Sequence, residues 1–170
     1  VLPAADATGH PLAQVAFADL RLGAAARIEP AQRSTYRFDD QLDLIGTSVP
    51  ARASAGSTLP VQLRFQRSAP GSGAATLFAH VLDSRGAVVA QLDQQPRVGG
   101  RPYPTSLWSV GEVVPVTMSV ALPAGVAPGA YQFEVGLYWP DSQKRLHVVD
   151  DAGHAVADDR VLAGPLDVIP

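Results

Sequence analysis

Apolar and polar residues alternate with a period of two over much of the chain, the spacing of half-buried β-strands rather than of helices. The clearest run is Val114, Val116, Met118, Val120 and Leu122, with Pro115, Thr117, Ser119 and Ala121 between them. After the Pro128-Gly129 turn signal, Tyr131, Phe133, Val135, Leu137 and Trp139 repeat the alternation against Gln132, Glu134, Gly136 and Tyr138. These two segments are expected to pair as a hairpin. Val61, Leu63 and Phe65 alternate with Gln62, Arg64 and Gln66, and Pro60 stands where a strand start or edge tolerates a missing donor, so residues 57–67 read as another strand. Residues 75–83 are apolar on both faces; Asp83-Ser84-Arg85-Gly86 then turns the chain and Ala87 to Asp93 returns, an expected central hairpin. Weaker strands are expected at 14–22, 41–49 and 161–169, with a short one near 145–149, about eight or nine in all.

No segment carries a capped 3.6-residue stripe; Leu20 to Ile28 is the one ambiguous stretch, and Gly23 interrupts it. Strands with one buried face each, separated by turns, imply two antiparallel sheets packed face to face. The expected fold is therefore an all-β, two-sheet antiparallel β-sandwich, with immunoglobulin-like and jelly-roll connections both open. It is read as a single domain over residues 1–170, with 41–170 as the sandwich proper and 1–40 as its N-terminal portion.

Composition narrows the class. Of the 170 residues, 46% are apolar and 17% charged, which excludes a disordered chain, and 15 Gly with 15 Pro argue against a helical bundle. A net charge of −3, with scattered basic residues, offers no footprint for nucleic acid or an anionic bilayer. The absence of cysteine removes disulfides, a thiol nucleophile and thiolate metal sites. No apolar run approaches the roughly 20 residues of a membrane span, and a chain beginning at Val1 reads as a fragment or mature product.

Candidate chemistry is sparse. Gly-x-Ser-x-Gly, His-Glu-x-x-His and phosphate-cradling glycine loops are absent. The three glutamates, Glu29, Glu112 and Glu134, stand beside no histidine or second acid in sequence. His80 lies in a strand with Phe78 and Leu82 on its own face, and the return strand brings Gln91 and Asp93 near it, either as a structural polar pair or as a ligand site. His80, Asp93 and Glu112 are the residues a sandwich-scaffold hydrolase or lyase would use. His10, His147 and His154 show no metal-ligand spacing, and no metal or cofactor is assigned. Asp150, Asp151, Asp158 and Asp159 offer carboxylates to a calcium ion but match no calcium-loop pattern. Tyr103, Trp108 and Tyr138 are the aromatic candidates for stacking on sugar rings; Trp108 reads first as a plug for the end of the sandwich and only then as such a platform. Trp139 is expected inward, and Tyr131 follows its turn like a corner tyrosine that bonds back to the chain.

The runs FAHVLDSRGAVVAQLDQQP from Phe78, PTSLWSVGEVV from Pro104 and LPAGVAPGAYQFEVGLYWPDSQKRL from Leu122 follow one another in a familiar order. Together they resemble the C-terminal soluble β-sandwich appended to large multispanning bacterial glycosyltransferase-like proteins of the protein-mannosyltransferase type. The likeness extends from about Leu42 to Val168, with VQLRF resembling the module's early strand and LAGPLDVI its closing one. It rests on His80, Asp83, Gln91, Asp93, Pro96, Thr105, Trp108, Gly111, Glu112, Pro128, Gly129, Tyr131, Gly136, Tyr138, Arg145 and Leu146. Pro115 departs from it, standing near where an acidic residue is expected. The resemblance implies a noncatalytic module tethered at the extracytoplasmic face of the membrane behind the spans of a parent protein, used for spacing, acceptor presentation or weak glycan contact. Its partners would be a glycan or a glycosylation acceptor, without nucleic acid and without insertion of the module itself. A carbohydrate-binding module using the exposed aromatics is the alternative.

Overall fold

Thirteen strands form among residues 35–170, the part of the chain described by the computed structural model. They are β1 (Tyr36–Phe38), β2 (Leu42–Ser48), β3 (Arg52–Ser54), β4 (Thr58–Arg67), β5 (Thr76–Leu82), β6 (Val88–Gln94), β7 (Arg97–Val98), β8 (Arg101–Pro102), β9 (Val113–Ala121), β10 (Gly129–Trp139), β11 (Lys144–Arg145), β12 (Val148–Val149) and β13 (Val161–Ile169). Single 3-10 turns occupy Thr105–Leu107 and Ala157–Asp159. No helix of the described residues is long and apolar enough to cross a membrane. The strand expected at 14–22, the stretch 20–28, His10 and Glu29 lie outside the described residues.

One sheet has the order β12-β1-β2-β4-β9 and the other β3-β13-β10-β5-β6, with β11 continuing alongside β10 and β7-β8 forming a small ribbon of its own. Pairing is antiparallel except where β3 runs parallel to β13. This is the expected all-β sandwich. Its core is built by the predicted alternation: Leu59, Val61, Leu63 and Phe65 of β4 and the even-numbered Val114, Val116, Met118 and Val120 of β9 face Leu77, Ala79 and Val81 of β5 and Phe133, Val135 and Leu137 of β10.

One expected pairing is corrected, and with it one expected position in the sheet. β9 and β10 do not form a hairpin: β9 is bonded along its length to β4, whereas β10 lies between β5 and β13 in the opposite sheet. The turn-rich residues 122–128 carry the chain across the sandwich, because alternation specifies which side of a strand is buried and is silent about its neighbour. The β5–β6 hairpin forms in register, but only β5 is interior; β6, with Gln91 and Asp93 exposed, is the sheet's edge.

A further correction concerns the outer face of β10. Glu134 and Gly136 are buried and Tyr138 half-buried, so this side is covered rather than wet. Phe78 projects outward from β5 and lies over Gly136, where a Cβ would come within 2.3 Å of the ring's Cζ. The missing side chain is thus the seat of an aromatic ring. Tyr131 meets the corner expectation: its hydroxyl donates to the carbonyl of Ala127 at 2.8 Å, tying β10 to the crossing segment.

Gly136→Ala is expected to destabilise the fold by about 1–3 kcal/mol through overpacking against Phe78. Urea unfolding should show Phe78→Leu recovering part of that loss in the double variant; strictly additive effects would mean that the ring and the glycine do not compete for the same space.

Candidate functional site

The outer face of the six-stranded sheet gathers the charged side chains. Register places Leu162, Glu134, His80 and Gln91 in one row across β13, β10, β5 and β6, with Gly136, Phe78 and Asp93 in the next. Because successive residues of a strand point to opposite faces, His80, Phe78, Glu134 and Tyr138 all stand on the same side. A register shift between Phe133 and Glu134 opposite β13 leaves one extra residue there, and Arg160, just before β13, reaches Glu134.

Glu134 is the centre of this group and is 2% exposed. Arg160 Nη1 donates to its Oε2, His80 Nδ1 lies 2.8 Å from its Oε1, and Arg145 Nη2 stands 3.8 Å from the same oxygen. A carboxylate only accepts, so Nδ1 of His80 is the donor of this bond. The other ring nitrogen, Nε2, stands 3.5 Å from Asp93 Oδ1. Burial pushes the Glu134 carboxyl up, but the hydrogen bonds from Arg160 and His80 outweigh it and hold the group below its ordinary value. Arg145 also donates to the carbonyl of Asp158 at 2.8 Å and lays its guanidinium 4.6 Å above the Phe78 ring, which stacks on His80 at 4.8 Å. Arg160 Nη2 completes the set on Asp158 at 3.1 Å. Tyr138 donates to Asp93 Oδ2 at 3.2 Å; burial, then the Asp93 charge, raises its pKa.

This arrangement satisfies a buried carboxylate on three sides and roofs an aromatic ring with a cation. Chemically it is a clamp. Glu134 is ionised and spent on its partners, and no hydroxyl among the described residues is bonded to His80. No group of three or more His, Asp or Glu among the described residues is arranged to hold a metal ion.

The expected site residues divide among separate places. His80, Gln91, Asp93 and Tyr138 share the outer face, and both expected neighbours reach His80: Gln91 is its register partner and Asp93 lies diagonally. Trp108 is in the core instead: it is 5% exposed, packs on Phe65 with centroids 5.9 Å apart, and donates from Nε1 to the carbonyl of Tyr103 at 2.9 Å. Its ring has no free face for a sugar. Tyr103, half-buried, donates to Glu112 Oε1 at 2.9 Å, and Ser109 N–H donates to Glu112 Oε2 at 2.8 Å. Tyr103 is raised by the bond to Glu112 and by burial. Glu112 therefore locks its own loop, and the carboxylate that meets His80 is Glu134. Glu134 and Arg160 were missed because a polar residue alternating with apolar ones reads as solvent-facing; covering by Phe78, Arg145 and Arg160 is a tertiary event.

The acidic segment caps turns. Asp150 Oδ1 accepts from the N–H groups of Ala152 and His154, and Asp159 Oδ1 from His147 Nδ1 and the N–H of Val148. A cavity of about 430 Å³ opens at the β1 side, lined by Arg37, Asp39, Asp40, Gln41, His147 and Val149.

No protein-family model matches the chain, and no curated protein matches it in sequence. Among solved structures it is similar to a β-glucuronidase from glycoside hydrolase family 2, at 16% identity and a TM-score of 0.47 over 72% of this chain and 11% of that one. It is also similar to the β-glucuronidase of Bacteroides uniformis, at 14% identity and a TM-score of 0.42 over 69% of this chain and 13% of the enzyme. The β-glucosidase of Listeria innocua in complex with isofagomine gives 16% identity and a TM-score of 0.38, over 69% of this chain and 16% of the enzyme. The chain thus spans less than a fifth of each of these proteins.

Because the folded carboxyl of Glu134 lies below the unfolded value of about 4.3, its ionised partnership stabilises fully above that value and is lost as pH falls through the folded one. Glu134→Gln should lose about 1–3 kcal/mol near pH 7, with the gap to wild type closing below about pH 4 in urea unfolding. A gap independent of pH would remove the charge from the account. Trp108→Ala should lose about 3–5 kcal/mol in the same measurement, as expected of a core plug.

Proposed function

We propose that this chain is a noncatalytic β-sandwich accessory domain of a cell-envelope glycosyltransferase-like membrane protein, tethered at the extracytoplasmic face and serving spacing, acceptor presentation or weak glycan contact. The observation that carries this reading is the state of Glu134, the most buried acid among the described residues. A general acid must hold a proton near neutral pH and a general base must be free to take one; Glu134, ionised and shared by Arg160 and His80, does neither. The resemblance supports the context, and its positions receive structural work. Asp83 Oδ1 accepts from the N–H groups of Arg85 and Ala87 in the β5–β6 turn, Thr105 bridges Gly73 and Ala75, Trp108 fills the core, and Gly136 seats Phe78.

A carbohydrate-binding module is the second reading, favoured by Tyr138, the one aromatic candidate standing half-exposed on the clamp's face beside Asp93. Incubation with aryl glycosides and with nucleotide- and lipid-linked sugar donors is expected to give no turnover. Turnover that survives purification and disappears in Glu134→Gln would overturn the accessory reading, whereas glycan-array binding lost in Tyr138→Ala, with the fold intact, would replace it with the module.

A further inference from the structure

Arg67 ends the inward row of β4, so the alternation that builds the core delivers a guanidinium to the end of the sandwich, opposite Leu42 of β2. It is 1% exposed. Its backbone is fully used, the N–H donating to Glu112 at 3.0 Å and the carbonyl accepting from Gly111 at 2.7 Å. Its side chain is not: among the described residues, Nε and Nη2 have no hydrogen-bond partner. These two nitrogens lie along one edge of the planar group, the fork that grips both oxygens of a carboxylate side-on. A buried charge with that fork empty is strongly disfavoured, and burial pushes the guanidinium's pKa down.

The cover over the fork is thin. Ser68 and Ala69 donate their N–H groups to the carbonyl of Gln41, and the carbonyl of Gly73 accepts from Thr105 Oγ1 at 2.8 Å. Between these ties Pro70, Gly71 and Ser72 are exposed. Gly71 stands against the guanidinium, for a Cβ there would lie 2.3 Å from Nη2 and 1.9 Å from Gln41 Oε1. Gln41 also lines the 430 Å³ cavity with Asp39, Asp40 and His147. One glycine and one amide side chain therefore separate an empty, charged fork from open space.

We propose that Arg67 is a binding site for a carboxylate-bearing small molecule, admitted as the Gln41 side chain swings into the neighbouring cavity and the strap at 70–72 lifts. A planar monoanion matches the planar fork and neutralises its single charge. A phosphate dianion would leave surplus negative charge buried beside Leu42, the register partner of Arg67. The site is independent of the accessory-domain reading.

The test is a titration of the full chain, labelled with nitrogen-15, against sodium acetate, sodium phosphate and sodium chloride at matched ionic strength. The readouts are the Arg67 Nε–H resonance and the melting temperature. Acetate should move the resonance saturably and raise the melting temperature, as a ligand of the native state does. Phosphate should act more weakly and chloride not at all. Arg67→Met should weaken acetate binding about ten-fold or more, the loss of a charge-assisted pair. Gln41→Ala should tighten it by opening the gate. An Nε–H resonance that answers acetate no more than chloride overturns the site, and one that answers phosphate more strongly overturns the carboxylate. Should Arg67→Met fail to fold, the wild-type resonance still decides.

Discussion

β10 is held on all sides. It is bonded to β13 along one edge and to β5 along the other, its inward Phe133, Val135 and Leu137 lie in the core, and its outward Glu134 and Gly136 are covered as well. A strand so enclosed has no solvent-facing position at its centre, so every outward residue there needs a partner. Gly136 meets that demand by having no side chain, and Glu134 by drawing two arginines and a histidine onto itself. The clamp on the outer face is a consequence of enclosing this strand.

The two buried charged groups on which most turns are treated in opposite ways. Glu134 sits under Arg160, His80 and Arg145, and the coulombic and hydrogen-bond gain exceeds the desolvation loss, leaving it ionised. Arg67 sits at the end of the other sheet with its fork unmatched and only desolvation acting upon it. A carboxylate supplied from within closes the first site; the second has the donors of such a pair without its acceptor. That asymmetry separates a structural clamp from a receptor more sharply than residue type does.

The long connection after β6 shows how a loop rich in aromatic residues becomes structure. Trp108 inserts against Phe65, its indole N–H binds the Tyr103 carbonyl, Tyr103 binds Glu112, and Glu112 binds Ser109. Each polar atom brought inward with the aromatic rings is matched within the same loop, which lets the tryptophan close the end of the sandwich without stranding a donor.

Alternation by itself determined the long strands β4, β9 and β10, which side of each lines the core, and the two-layer class, because a side chain's face follows from its position along an extended backbone; the short strands β1, β3, β7 and β8 carry too few residues to show a period. The even-numbered residues of 114–122 and the odd-numbered ones of 133–137 are buried as their spacing requires, and the corner bond of Tyr131 follows from its place after a turn. Tertiary structure alone decided that β9 and β10 belong to opposite sheets and that β6 is an edge, and it settled Trp108 as the plug rather than the sugar platform. It also decided that Glu134, alternating like a solvent-facing residue, is the most enclosed acid on its face. The physical reason is that strand partners and the cover over an outer face arise from contacts between residues tens of positions apart, such as His80 with Glu134 and Asp39 with Trp139, and a periodicity of two carries no record of them.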